Sequence, residues 1–148
     1  MRLLRPSLTL AFSFAALLLS TLIVPSAKAQ ITNPIEATIT HSFIVGNATL
    51  PPGTYVFRMM QGTDLEVMTV RNKAGDTGAE FLVRASIDSK TPQHSELIFN
   101  RYGDKEFLYK IFERGSKDGV AVIEPSREES RLLKQGQTPV EHSEEQKE

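Results

Sequence analysis

The 148-residue sequence contains no cysteine. That excludes disulfides, a lipid-modified N-terminal Cys and the thiolate zinc sites. Histidine is scarce: His41, His94 and His142 are the full set, and no two have the spacing of metal ligands along one element. A G-x-S-x-G nucleophile elbow is absent. There is no clustered basic stretch, and 17 basic residues nearly balance 18 acidic ones, so a nucleic-acid footprint is missing. No repeat recurs at a fixed period, and no apolar run beyond the first is long enough to span a bilayer.

That first run is a leader pattern. Arg2 and Arg5 precede an uninterrupted apolar and small stretch over residues 8–24, followed by Ala27-Lys28-Ala29. Positive start, apolar middle and small-x-small end predict a signal peptide over 1–29, cleaved after Ala29; an uncleaved N-terminal anchor is the other reading. Export to the periplasm or the medium is the expected localisation, with no membrane span after cleavage. Losing Arg2, Arg5 and Lys28 leaves an acidic excess, most of it in Glu141, Glu144, Glu145 and Glu148.

The remainder is long enough to bury one core. Between residues 35 and 123 the dominant period is two, the mark of half-buried strands. Ile35, Ala37, Ile39, His41, Phe43 and Val45 share one face; Tyr55, Phe57 and Met59 share another. Segment 106–114 is apolar on both sides, Phe107, Tyr109 and Ile111 against Leu108 and Phe112, which predicts a central strand. Turn residues recur every 8–12 residues or so, the spacing of a sandwich or barrel. The expected fold is all-β: a single antiparallel β-sandwich or barrel of about seven strands over 30–136, with a short C-terminal helix near 126–135. Ser126 and Glu129 predict a capping box and Gly136 the C-terminal stop. Such a short helix must dock to persist. Residues 137–148, nearly without apolar side chains, read as a disordered acidic tail.

The organising stretch is FIVGNATLPPGTYVF, residues 43–57. Gly46 and Asn47 tolerate positive φ and predict a reversal after Phe43 and Val45. Pro52-Gly53 fits a type II turn, and Tyr55 and Phe57 follow on one face. Further on, Tyr102-Gly103-Asp104-Lys105 predicts a hairpin, with Gly103 at unusual φ and Tyr102 shielding an edge. The structural set is thus Phe43, Gly46, Asn47, Pro52, Gly53, Tyr55, Phe57, Tyr102, Gly103 and Phe107.

Residues able to carry chemistry are few. His41 on the apolar face of the first strand reads as a core-border residue. Asp64, Asp76, Asp88, Asp104 and Asp118 fall in turns, where Asp is favoured for backbone reasons. Asn47-Ala48-Thr49 matches a glycosylation sequon in a turn that wants Asn anyway, and Arg58 and Arg84 read as solvated outer positions. No catalytic residue, metal ligand or cofactor is expected.

Two resemblances add to this. LPPGTYVF is similar to the turn-plus-Tyr of immunoglobulin-like sandwiches, where a Tyr bonds back to a corner. The pattern F-x-V-G-N-x-x-L-P-x-G-x-Y, followed by F-x-R-Y-G-D-x-x-F-L and a charged PSREESRLL segment, resembles a family of small exported bacterial proteins of unknown function. That resemblance implies export and a shared β fold, and brings no activity. The leading expectation is therefore an exported, non-catalytic β domain with a binding or structural role at the cell envelope, its partner an envelope protein or a ligand. The alternatives are a lipocalin-like small-ligand barrel and a hydrolase of unknown type. A cavity of several hundred cubic ångströms with convergent polar groups would favour the ligand reading over the structural one.

Overall fold

The computed structural model describes residues 31–62 and 65–146; the expected leader lies outside them, as do Thr63 and Asp64. In chain order the elements are β1 (Ile35–Ile39), β2 (Phe43–Val45), β3 (Ala48–Leu50), β4 (Gly53–Met59), β5 (Val67–Asn72), β6 (Gly78–Ile87), β7 (Ser95–Tyr102), β8 (Lys105–Phe112), β9 (Asp118–Val122), α1 (Arg127–Lys134) and β10 (Val140–Gln146). The strands make one mixed sheet in the order β1-β4-β5-β6-β9-β8-β2-β3, with β7 on β8 and β10 on β7. Every pair is antiparallel except a short parallel contact of β2 with β8 at Ile44 and Phe107. None of the helices among the described residues is long and apolar enough to cross a membrane.

The all-β expectation stands, but the sheet has ten strands and is open, so it is neither a closed barrel nor a seven-strand antiparallel sandwich. Three local features account for the difference. The run 35–45 breaks at residues 40–42, so β1 pairs with β4 while β2 turns away to β3 and β8. The C-terminal segment supplies an unforeseen strand. And β6 is long enough to serve both halves, pairing β5 through its first part and β9 through its second. The sheet folds over along β6, and Ile39, Phe57 and Met68 of one half meet Leu97, Phe99 and Ile111 of the other in a single core.

A register shift between Ile98 and Phe99 changes which side chains of β8 point inward. Phe99 opposes Leu108 and Ile98 opposes Lys110, so Tyr109 is the extra residue of a bulge. Leu108 and Ile111 therefore share the core, while Phe107 turns to the opposite side and Tyr109 is only half-buried. The expected grouping of Phe107, Tyr109 and Ile111 on one side fails for that reason.

The corner at 43–57 has the expected path with different turn chemistry. Val45 pairs with Ala48 across Gly46-Asn47, and Gly46 takes φ +57° while Asn47 does not go positive. Positive φ at the first loop residue alone fits a type II′ hairpin. Gly103 does the same at φ +64° between Tyr102 and Lys105. The type II turn expected at Pro52-Gly53 does not form: Gly53 has no positive φ and is the first residue of β4, paired with Ile39. A Cβ there would only touch Tyr55 Cε2 at 3.4 Å, an ordinary contact, so neither φ nor space demands glycine. Tyr55 Oη donates to the Pro51 carbonyl at 2.7 Å, the bond back to a corner that the sandwich likeness implied. Burial, with the charge of Asp76, raises the Tyr55 hydroxyl above its usual pKa. Phe43 packs edge-on against both Tyr55 and Phe99, at 5.2 and 5.9 Å between centroids.

α1 begins where Ser126 predicts. Ser126 Oγ accepts the Glu129 N–H at 3.0 Å, but the Glu129 carboxylate turns to Asn100 and Tyr102, so only half of the capping box is made. At the other end Gly136 (φ +78°) donates to the Leu133 carbonyl and Gln137 to that of Leu132, the two bonds of a Schellman stop. Asn47 matters to the helix rather than to its own φ, since its Oδ1 accepts the Arg127 N–H at 3.2 Å. The helix docks through Leu132 onto Ile44, Tyr102 and Phe107, and Lys105 pairs with Glu128. Tyr102 is therefore buried under α1, not an edge shield.

The acidic tail is not disordered over its strand: β10 pairs with β7 from Val140 opposite Arg101 to Gln146 opposite Ser95. Hydrophobicity does not hold it, as Val140 is exposed. The free backbone edge of β7 does, helped by polar side chains that find partners across the fold. Gln146 is buried, and its Oε1 accepts the Thr38 N–H of β1 at 2.8 Å.

Two stability measurements check this arrangement. Phe57, fully buried, should cost about 3–5 kcal/mol on change to Ala in urea denaturation. Deleting residues 137–148 should lower the unfolding free energy measured in urea by far more than the ~0.5 kcal/mol of a neutral surface change, because it bares the β7 edge.

Candidate functional site

Sheet alternation sends Asn100, Tyr102 and Glu141 to one face of the β7–β10 ladder and Phe99, Arg101, His142 and Glu144 to the other. The first face carries a cleft of about 410 Å³ between α1 and the sheet. Ile44, Phe107, Val122, Ile123, Leu133 and Pro139 give it apolar walls; Gly46 brings backbone to its rim. Ile123 and Leu133 are large apolar side chains left nearly half exposed there, at 46% and 45%.

At the base sits Glu129, only 6% exposed. Its Oε1 accepts from Asn100 Nδ2 at 2.9 Å and from Tyr102 Oη at 3.4 Å. Both bonds fall on one oxygen, which leaves Oε2 to whatever enters. Burial first, then the charge and hydrogen bond of Glu129, pushes the Tyr102 hydroxyl up to about 12, so it stays a donor at physiological pH. Glu124 and Glu141 line the cleft too, and Glu141 pairs with Lys110 at 3.6 Å. Arg84, read from sequence as merely solvated, is exposed and also lines this cleft. The arrangement suits binding: one buried carboxylate in a half-apolar cleft, with two neutral donors fixing it.

Of the residues singled out by sequence, Gly46, Tyr102 and Phe107 border the cleft. Asn47 caps its helix, and Gly103 only shapes a hairpin. Phe43, Tyr55 and Phe57 are core, Gly53 opens β4 opposite Ile39, and Pro52 is exposed. Glu129 was legible as a helix-capping residue and missed as a site residue. Asn100 carried no signal at all.

On the other face the structure brings together side chains that sequence spacing kept apart. His41, in the β1–β2 bend, lies against His142 and Glu144 of β10, one ligand-capable atom from each within 4.8 Å of the others. Spacing along the sequence, which offered no pair of histidines at metal-ligand separation, gave no sign of this meeting. The signal available was modest: His142 and Glu144 alternate on one face of a polar segment.

The raised Tyr102 pKa has a definite sign for stability. The unfolded phenol titrates near 10 and the folded one near 12, so the unfolded state loses its proton first and stability falls across that window. Denaturation midpoints should therefore drop as the pH rises from about 10 to about 12, and Tyr102→Phe should make that drop shallower.

No family model, curated protein or solved structure matches the chain.

Proposed function

We propose that this chain is an exported, non-catalytic β domain that binds a small amphipathic ligand in the cleft between α1 and the sheet. The ligand class is an apolar body bearing an amine or another hydrogen-bond-donating group. The observation that carries the reading is the buried Glu129, held by Asn100 and Tyr102 at the base of a 410 Å³ cleft with apolar walls. Pockets of several hundred cubic ångströms with a few fixed polar groups are the usual form of small-ligand sites. Glu141 pairs with Lys110 at 3.6 Å, so the buried Glu129, with Glu124, is what favours a cation over an anion.

The site differs from a lipocalin-like one. The interior between the sheet halves is filled by Phe43, Tyr55, Phe57 and Phe99, and the cleft lies outside it, roofed by a helix. Export rests on the leader pattern of residues 1–29 and on the resemblance to small exported bacterial proteins. A purely structural role at the envelope would leave the cleft and the half-exposed Ile123 and Leu133 without a use.

A calorimetric or NMR screen of aromatic and aliphatic amines, beside the matched carboxylic acids and neutral alcohols, tests the reading. Amines should bind, and Glu129→Gln, which keeps an acceptor for Asn100 and Tyr102, should weaken them at least tenfold, ~1.4 kcal/mol. Equal response to acids and amines, or binding indifferent to Glu129→Gln, would remove it.

A further inference from the structure

We infer that His41, His142 and Glu144 form a divalent-metal site of the zinc type, with the buried Glu106 orienting His142, at the seam where β10 meets the β1–β2 bend. It lies on the opposite face of the β7–β10 ladder from the cleft and does not depend on the ligand reading.

The geometry is near that of a bound ion. His41 Nδ1 and Glu144 Oε1 are 3.1 Å apart, and adjacent ligands of a tetrahedral zinc with bonds of about 2.0–2.1 Å sit roughly 3.3 Å apart. All three ligand atoms fall within 4.8 Å of one another, so the widest pair has at most ~1.5 Å to draw in. Two imidazoles and one carboxylate form a donor set that suits zinc and leaves a fourth position open. A hard cation such as calcium would want oxygen ligands throughout.

An independent observation points to the same place. His41 Nε2, Glu144 Oε2 and Glu106 Oε2 are all buried without a hydrogen-bond partner. Buried polar atoms are nearly always satisfied, and Glu144 Oε2, the second oxygen of a ligand carboxylate, is the orphan that a bound ion would take up; His41 Nε2 lies across the ring from the ligand atom Nδ1. Glu106 is 5% exposed, deep enough for an uncompensated carboxylate to be costly. Arg101 pairs with Glu106. Glu144 has His41 as its partner, and a divalent ion would bring positive charge between the two carboxylates.

The neighbours of His142 are those expected around a ligand. Its Nδ1 is 3.2 Å from Glu106 Oε1 and 2.6 Å from Arg101 Nη2. These two contacts require different tautomers: Arg101 donates to a bare Nδ1, whereas a protonated Nδ1 donates to Glu106. Metal binding would select the second, which frees Nε2 as the ligand while Arg101 stays on Glu106 through its Nε. A carboxylate behind a ligating histidine fixes both tautomer and ring orientation. Phe99 adds a wall, its ring 5.1 Å from His41 and 6.3 Å from His142. Such a metal would fasten the C-terminal strand to the first strand's end, beside the Gln146–Thr38 bond.

The test uses the full folded chain, stripped with EDTA and titrated with Zn²⁺ by calorimetry, with Co²⁺ as a spectroscopic substitute. One ion per chain should bind, the melting temperature should rise, and Co²⁺ should develop the visible bands of a four-coordinate site. His41→Ala and His142→Ala should each lower affinity at least a hundredfold, Glu106→Gln by about 10–100-fold, and His94→Ala not at all. If either His variant fails to fold by circular dichroism, Glu144→Gln carries the same test. Absence of binding, or binding that survives these substitutions or is lost with His94→Ala, overturns the site.

Discussion

β8 pairs along both of its edges and buries side chains on both of its faces, and much of the molecule is arranged by that. β7 lies along one edge, while β9 and β2 share the other. Leu108 and Ile111 go into the core between the folded halves; Phe107 goes the opposite way and would be exposed without a cover. α1 is that cover. A sheet with one greasy patch on its outer face needs something over it, and an eight-residue helix with Leu132 on its inner side is a small solution. It leaves a gap beside itself, and the gap is the cleft. The site is thus a by-product of covering Phe107, furnished with a carboxylate by the helix's own first turn.

The β7–β10 ladder divides the chemistry of the molecule. On its outer face Asn100, Tyr102 and Glu141 serve the cleft; on its inner rim Phe99, His142 and Glu144 face the β1–β2 bend. Both sets are placed by one register, since sliding β10 by a single residue would exchange its faces. Gln146 guards against that slip, because its amide oxygen reaches the Thr38 N–H from that register. A strand with almost no apolar side chains therefore sets the positions of Glu141, His142 and Glu144 at the two sites.

Much of this was legible in the residues, and the failures have identifiable causes. The period-two pattern, the Gly46 and Gly103 reversals, the Ser126 cap and the Gly136 stop depend on neighbours in sequence, where pattern reasoning is strong. The bulge at Tyr109 defeated strict alternation, because one extra residue inverts everything after it. β10 was invisible for another reason: a polar strand taken up by a waiting edge shows no apolar periodicity. The likeness of 50–57 to a corner matched the Tyr55 bond, whereas the type II turn read at Pro52-Gly53 failed, since Gly53 already lies in β4 without positive φ. Glu129, Asn100 and the His41–His142–Glu144 group are assembled from distant strands, and no local pattern encodes such meetings.

α1 is eight residues long, below the length at which a helix holds together unaided in water, and it supplies Ser126, Glu129 and Leu133 to the cleft. One wall of the cleft is consequently its least self-sufficient part. Seating of the helix and filling of the cleft are then two views of a single equilibrium. Any occupant bridging Glu129 and the sheet must first be met by a seated helix, and its observed affinity is its intrinsic affinity scaled by the fraction of molecules in which α1 is home.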